Sequence, residues 1–467
     1  MGLFVRDSGF YKRLITIAVP ITLQGLINIG VNMVDTMMLG NLNQDALSAS
    51  ALANQFCMLF MILNFGLGGG ASVLTGQFWG KGDKESIGKT LSIVYKITAA
   101  LAALFFVAAQ FFPESVMSLY TNEANLIKLG ASYLKIVSWA FLLQGFSTIT
   151  AIVLRTVGVV RLTLITSTIA LVNNFVMNYA FIYGNFGAPR MDIAGAALAT
   201  AISRLFEFII IAVFILRIDK KIQFRLKSLL SMDKPIFVDY LKNGLPVLVS
   251  DLILALGFNV LAAIMGRIGG DFVAANAIAN TVWQFTTVFL MGTSAASSVI
   301  IGNTVGARRY EDAQRYAKTF LALAVIIGLL AGVVVFLLRD AAVALFGTTL
   351  TEAARQINRQ LMSAISLLAV FSSVQMMLTK GVLRAGGDTR FLMVADVLFL
   401  WLVSVPLGYT AGLVLHLVPI LVLLCLKIDE IIKAVWCTFR LFSGKWIRNV
   451  TVLEGHGEEP AFDKTQG

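Results

Sequence analysis

The sequence predicts an all-α polytopic membrane protein: twelve transmembrane helices in two pseudo-two-fold-related six-helix bundles. Three observations carry this expectation. Of 467 residues, 58% are hydrophobic and only 13% charged, where a soluble domain carries about 25% charged residues; the mean hydropathy is +0.82. Twelve apolar stretches are long enough to cross a bilayer at about 1.5 Å of rise per residue. The second half of the chain also repeats residue types of the first at a nearly constant spacing.

The apolar stretches fall at 14–39, 46–78, 88–112, 124–154, 162–184, 193–217, 236–266, 273–305, 314–338, 355–383, 391–415 and 417–439. Those longer than about 20 residues should tilt or project beyond the hydrocarbon. The first is too long and too polar for a signal peptide, and no small-residue cleavage site follows, so it is expected in the mature protein. Lys and Arg set the orientation. Arg6, Lys12 and Arg13 precede the first span, Lys81, Lys84 and Lys89 follow the second, and Arg155 and Arg161 follow the fourth. Arg217 to Lys234, Arg308 to Arg315, Arg384 with Arg390, and Arg440 to Arg448 continue the series on the same side. Both termini are therefore expected in the cytoplasm, with the chain in the inner (plasma) membrane. The ninth loop, with Arg339, Arg355 and Arg359, departs from the rule. The net charge of +11 is spent on these loops and forms no track for nucleic acid. Three cysteines and two histidines leave no disulfide framework and argue against a Cys/His metal site.

Pro20 recurs as Pro246, 226 residues later, and at that spacing Gly40, Asp45, Asn54, Gly76, Gly80 and Glu85 meet Gly266, Asp271, Asn280, Gly302, Gly306 and Glu311. Further on, Arg155, Gly158 and Arg161 meet Arg384, Gly387 and Arg390 after a shift of three residues. Six spans per half is an even number, so both halves start on the same side and an axis along the membrane normal relates them. The expected organisation is an N-terminal bundle (1–217), a charged amphipathic cytoplasmic linker (218–235), a C-terminal bundle (236–443) and a mobile tail (444–467).

The first span carries Gln24, Asn28, Asn32 and Asp35. At about 100° per residue these fall within an arc of about 80° on one face. A carboxylate inside a span is costly in hydrocarbon and marks a functional site by default. The repeat supplies a control, since the matching residues are Ser250, Leu254, Phe258 and Leu261, and the stripe is confined to the first half. Asn174 and Asn178, four apart in the fifth span, are amide partners for Asp35, or else bond each other or the backbone. Gln24, Asn28 and Asn32 of the stripe, with Asn54, Asn64, Met33 and Met61 beside it, are candidates to line a cavity. Flexible thioethers suit varied ligands, and Asn54, repeated as Asn280, also reads as structural. Pro20 and Pro246 each remove a backbone donor and are candidate bending points. Arg204 and Glu207, three apart, read most economically as an intrahelical ion pair. Asp251 shows no evident partner, and Asp396 is expected to pair near the cytoplasmic interface. Arg155, Arg161, Arg384 and Arg390 read as snorkelling loop anchors.

The segment Val34-Asp35-Thr36-Met37-Met38-Leu39-Gly40 after Pro20, and the loop Gly381-Val382-Leu383-Arg384-Ala385-Gly386-Gly387-Asp388-Thr389-Arg390, resemble the multidrug and toxic compound extrusion (MATE) family. The resemblance extends over nearly the whole chain and includes the six-plus-six repeat. It implies a V-shaped pair of bundles, cation-coupled efflux of cationic or amphipathic organic compounds, and a coupling proton or Na⁺ at Asp35. The sequence departs from the family pattern in having Asn178 where many members carry a second acid in the fifth helix. It also has Leu254 near the place of a seventh-helix carboxylate, and only Gln375 in the tenth.

The mechanism expected is antiport by a monomer, with no cofactor but the coupling ion. Desolvation favours the neutral form of a carboxyl, so a carboxyl placed as Asp35 is can trade a proton for a cationic drug or Na⁺. Protonation would then let the first helix rearrange around Pro20. One rival is a flippase for lipid-linked oligosaccharides or peptidoglycan precursors, which requires a basic cavity; on sequence only Arg204 offers one, and Glu207 offsets it. The other is a membrane enzyme, for which no convergent catalytic set is present.

Overall fold

The computed structural model describes residues 4–40, 42, 44–229, 232–346 and 351–451. All twelve apolar stretches are helical. In order the helices are α1 (Ser8–Gly40), α2 (Gln44–Lys81), α3 (Lys84–Phe111), α4 (Pro113–Ser118), α5 (Ala124–Val137), α6 (Ala140–Thr156), α7 (Arg161–Tyr183) and α8 (Asp192–Val213). Then follow α9 (Lys234–Ile268), α10 (Gly270–Gly306), α11 (Tyr310–Phe346), α12 (Glu352–Met376), α13 (Leu383–Ala385), α14 (Thr389–Phe399), α15 (Val405–Tyr409), α16 (Pro419–Leu426) and α17 (Ile428–Phe442). Among the described residues ten helices are long and apolar enough to span, and the α5–α6 pair, bent by 56°, makes an eleventh if taken as one crossing. The twelfth stretch, 417–439, is divided at Lys427 into α16 and α17, each too short to cross alone.

Local chemistry fixes several ends. Asp83 Oδ1 accepts from Ser86 N at 3.0 Å and caps α3, and Thr351 Oγ1 accepts from Ala354 N at 3.1 Å and caps α12. Pro20 and Pro246 lie inside continuous helices. Widened π turns occupy Phe214–Ile218, Met377–Val382, Leu400–Ser404 and Thr410–Val414. Large apolar side chains such as Leu104, Phe111, Leu337 and Leu402 face outward, the arrangement hydrocarbon solvent favours.

The chain divides into two compact units. One comprises Leu23–Thr75 and Asp83–Leu241. Its core joins Phe60, Phe105, Phe141, Met117, Leu134 and Ile182, with the Phe60 and Phe141 rings 4.8 Å apart. The segment 218–229 packs against this unit: Phe224 stacks edge-on to Tyr95 and Lys221 Nζ donates to Val157 O at 2.7 Å. The other unit comprises Met1–Thr22, Gly76–Gly82 and Lys242–Gly467, with a core of Leu254, Leu261, Phe272, Leu361, Met362, Leu400 and Leu426. Three helices, α1, α2 and α9, thus change unit along their length, at 22/23, 75/76 and 241/242.

The repeat is visible as duplicated contacts. Asn125 Nδ2 donates to Asp45 Oδ2 at 2.6 Å, and Thr351 Oγ1 donates to Asp271 Oδ1 at 2.7 Å; each pair is 80 residues apart. The matched glycines also meet. Gly76 and Gly302 face each other, a Cβ on Gly76 lying 3.7 Å from Gly302 Cα. One on Gly80 would overlap the Asn303 carbonyl, and one on Gly306 the Gln77 carbonyl. Gln77 and Asn303 are themselves repeat mates, so the contact is locally two-fold.

One expectation changes here. A mobile tail from 444 does not describe residues 444–451, which dock; residues 452–467 lie outside those described. Trp446 is fully buried, its indole N–H donating to Gln314 Oε1 at 2.9 Å. Arg448 N donates to Gly386 O at 2.7 Å, next to Gly387 with φ +89°. Gln77 completes the seat: its Nε2 donates to Arg448 O at 3.1 Å and its Oε1 accepts from Val450 N at 2.8 Å. A large aromatic followed by β-branched residues is ordinary core chemistry, and the polar residues around it hid that.

Candidate functional site

α1 carries Asp35 one turn from its C-terminal end, and α7 presents Asn174 and Asn178 four residues apart. Asn178 Nδ2 donates to Asp35 Oδ1, and also to Asn174 Oδ1 at 3.2 Å. Asn174 and Asn178 are buried and Asp35 is half-buried. Tyr183 OH donates to Met38 O at 2.9 Å and holds the same end of α1. The structure therefore brings together the acid and both amides. Asn178 Oδ1 is buried and has no hydrogen-bond partner among the described residues. A carboxylate beside an unmet amide oxygen is an oxygen-only donor set, the kind hard cations use.

The rest of the stripe divides. Gln24 is buried, not cavity-lining as expected: its Nε2 donates to Ser167 Oγ at 2.9 Å and its Oε1 accepts from Arg155 Nη2 at 2.6 Å. Asn28 and Met33 are exposed on α1, and the Asn32 side chain lies outside the described residues. Asn54 is exposed and accepts from Tyr133 OH at 3.2 Å. Asn64 and Met61 border a recess with Phe60, Phe65, Gln144 and Thr148 that is too tight for a drug. Asn64 Nδ2 donates to Phe60 O at 2.9 Å, so it serves its own helix. Arg204 Nη1 and Glu207 Oε2 are 2.8 Å apart on α8.

The other unit holds a second polar system that sequence reasoning missed. Asp251 on α9 is paired with Lys380 and takes a bidentate contact from Arg384, at 3.0 and 3.2 Å. The reading of Asp251 as partnerless is thus overturned, as is that of Arg384 as a loop anchor. Lys380 sits in the π turn Met377–Val382, a distortion frequent at functional sites. Asp396 is fully buried within the protein and does pair: it accepts from Ser250 Oγ at 2.6 Å and meets Lys433 at 3.4 Å, which also meets Asp429 at 2.8 Å. Arg155, expected to snorkel, instead turns inward to Gln24. A lone Lys in an apolar run was the available signal for Lys380, and the i,i+4 spacing of Asp429 and Lys433 for that pair.

The MatE family model matches residues 20–180 and 246–410, one match on each repeat. The probable multidrug resistance protein YoeA of Bacillus subtilis is 24% identical over 84% of this chain and 84% of its own length. The multidrug resistance protein PmpM of Pseudomonas aeruginosa is 25% identical over 88% of this chain and 86% of its own. A solved structure described as the outward-facing conformation of a multidrug resistance MATE family transporter of the MOP superfamily superposes with a TM-score of 0.84 at 19% identity. It covers 93% of this chain and 96% of that chain, and shows the same fold.

Proposed function

The chain belongs to the MATE family of multi-span membrane transporters, and from that premise we propose that it is an antiporter exporting organic cations and amphipathic drugs against a proton or Na⁺ gradient. The observation that carries this reading is the Asp35–Asn178–Asn174 cluster. The named relatives are multidrug resistance proteins, which supports small drugs as cargo. The distribution of Lys and Arg supports cytoplasmic termini, and we take the protein to act as a monomer in the inner membrane.

Ionised Asp35 attracts one cation at a time. Asn178 donates a hydrogen bond to the charged form and stabilises it. A proton taken up at an Asp35 carboxyl oxygen removes that attraction, so cargo leaves as the ion enters. A bound Na⁺ would supply a compact positive charge at Asp35, with the Asn178 amide oxygen as second donor. The potential contributes about 2.3 kcal/mol per charge per 100 mV.

A lipid-linked-oligosaccharide flippase deserves comparison because the structure does show two converging cations. Lys380 and Arg384 both engage Asp251, however, and a pyrophosphate would have to displace that carboxylate. Efflux of a fluorescent organic cation from proteoliposomes, with proton and sodium gradients imposed separately, tests the proposal. Gradient-driven efflux that Asp35→Asn abolishes is the expected result. Undiminished efflux by that variant overturns it.

A further inference from the structure

α1 is anchored in two different ways on either side of Pro20. Below it, Val5 N donates to Thr319 Oγ1 at 3.2 Å and the Phe10 ring lies 4.7 Å from that of Tyr316. Gly292 of α10 lets α1 approach so closely that a side chain there would overlap Thr22 and the Ala18 carbonyl. Above it, Gln24 bonds Ser167 and Arg155 on α7 and α6, and nearer the C-terminal end Asp35 meets Asn178 and Met38 O accepts from Tyr183. The compact units divide α1 between Thr22 and Leu23. Gln24 is therefore anchored within two residues of the division, one helical turn after a proline that has already removed a backbone hydrogen bond.

Gln24 is suited to hold and to release. Its amide uses both ends, Nε2 donating a hydrogen bond to Ser167 Oγ and Oε1 accepting one from Arg155 Nη2. A guanidinium bonded to a neutral amide is held less firmly than one paired with a carboxylate. Arg155 Nε is buried and has no hydrogen-bond partner among the described residues, and Glu207, which is bonded to Arg204, acts on the Arg155 guanidinium through its charge. The bond that ties α1 to Arg155 is thus one between a cation and a neutral amide.

We propose that Gln24, Ser167 and Arg155 form a releasable clasp that fixes where α1 bends, and that Gln24 is thereby a positioning residue for transport. The inference rests on the antiport reading. With the clasp closed, residues 23–40 stay along α7 and Asp35 stays against Asn178. With it open, the helix from Leu23 onward is released just beyond Pro20 and Asp35 leaves its amide partners.

The test uses two substitutions of opposite sense in full-length protein. Gln24→Glu puts a carboxylate against Arg155 and tightens the clasp; Gln24→Leu removes it. In proteoliposomes Gln24→Glu is expected to bind a fluorescent organic cation within about threefold of the parent but to turn over at least about tenfold more slowly. Adding Arg155→Gln, which removes the new ion pair, is expected to restore most of that rate. Gln24→Leu is expected to pass ions without cargo, raising the ion-to-drug ratio. Parent turnover in Gln24→Glu, or failure of Arg155→Gln to relieve it, overturns the clasp. Loss of gradient-driven flux in the parent itself would instead strike the antiport reading. In that case a second measurement decides the clasp: maleimide reactivity of Asn28→Cys in a background lacking Cys57, Cys425 and Cys437. The rate should differ at least about threefold between the Glu and Leu variants, and equal rates overturn the proposal.

Discussion

Asp35 and Asn178 are bonded across 143 residues of sequence, the same separation as Gln24 and Ser167. α1 and α7 therefore run parallel and in register between two side-chain bonds, eleven residues or about 16 Å of rise apart. A one-residue slip would rotate α1 by about 100° and break both.

Asp35→Asn is expected to keep the protein folded, because an amide fits the same space, and to abolish gradient-driven efflux. Expression with wild-type chromatographic behaviour and no transport in vesicles would bear this out.

Asn178→Ala removes the donor to Asp35 and leaves the carboxylate short of a partner. A hydrogen bond to a charged group contributes about 1.5–3 kcal/mol, so the ion dependence of transport should shift by roughly 10- to 100-fold in concentration. Asn174→Ala, one bond further away, should shift it less. Efflux measured against graded pH and graded Na⁺ reports both.

Gly80→Ala and Gly306→Ala each drive a methyl into a facing backbone carbonyl, and overpacking of that kind costs about 1–3 kcal/mol. Gly76→Ala meets its neighbour at ordinary van der Waals distance and should be tolerated. Thermal stability of the three purified variants should separate them two against one.

Asp251→Leu leaves Lys380 and Arg384 with no carboxylate between them. Breaking a buried pair by removing one partner costs about 3–5 kcal/mol, so this variant should express poorly. Asp251→Asn combined with Lys380→Gln should recover more stability than the two single changes would suggest if added. A double-mutant cycle on melting temperature checks it.

Much of the architecture was legible because burial in lipid writes itself into hydropathy, and because duplication left Pro20 with Pro246 and Asp45 with Asp271. The acid and its amides were legible for a related reason: few polar residues occur in these spans, so those present stand out. What could not be read was partnership. Gln24 and Asn28 lie on one face of α1, yet one is buried against Arg155 and the other exposed, and that choice is made by α6 and α7. Lys380 vanished into the average of an apolar run, although a single charge there is the costliest residue in it. Arg155 and Arg384 occupy matched places near span ends, where snorkelling is the usual fate. Both turn inward, because a buried acceptor happened to be within reach. The interruption at Lys427 coincides with the charges of Lys427, Asp429, Glu430 and Lys433, which the long apolar runs on either side outweigh when 417–439 is averaged as one stretch.

The seat of Trp446 bears on how this protein should be handled at the bench. A fluorescent reporter or purification tag spliced on directly after Phe442 would delete the indole that fills the space against Gly386, take Val450 N away from the Gln77 side-chain oxygen and leave Gln77 Nε2 with Ala385 O alone of its two acceptors. Such a fusion would report on a damaged molecule while looking like a harmless trim. Labels placed beyond Thr451 spare those contacts.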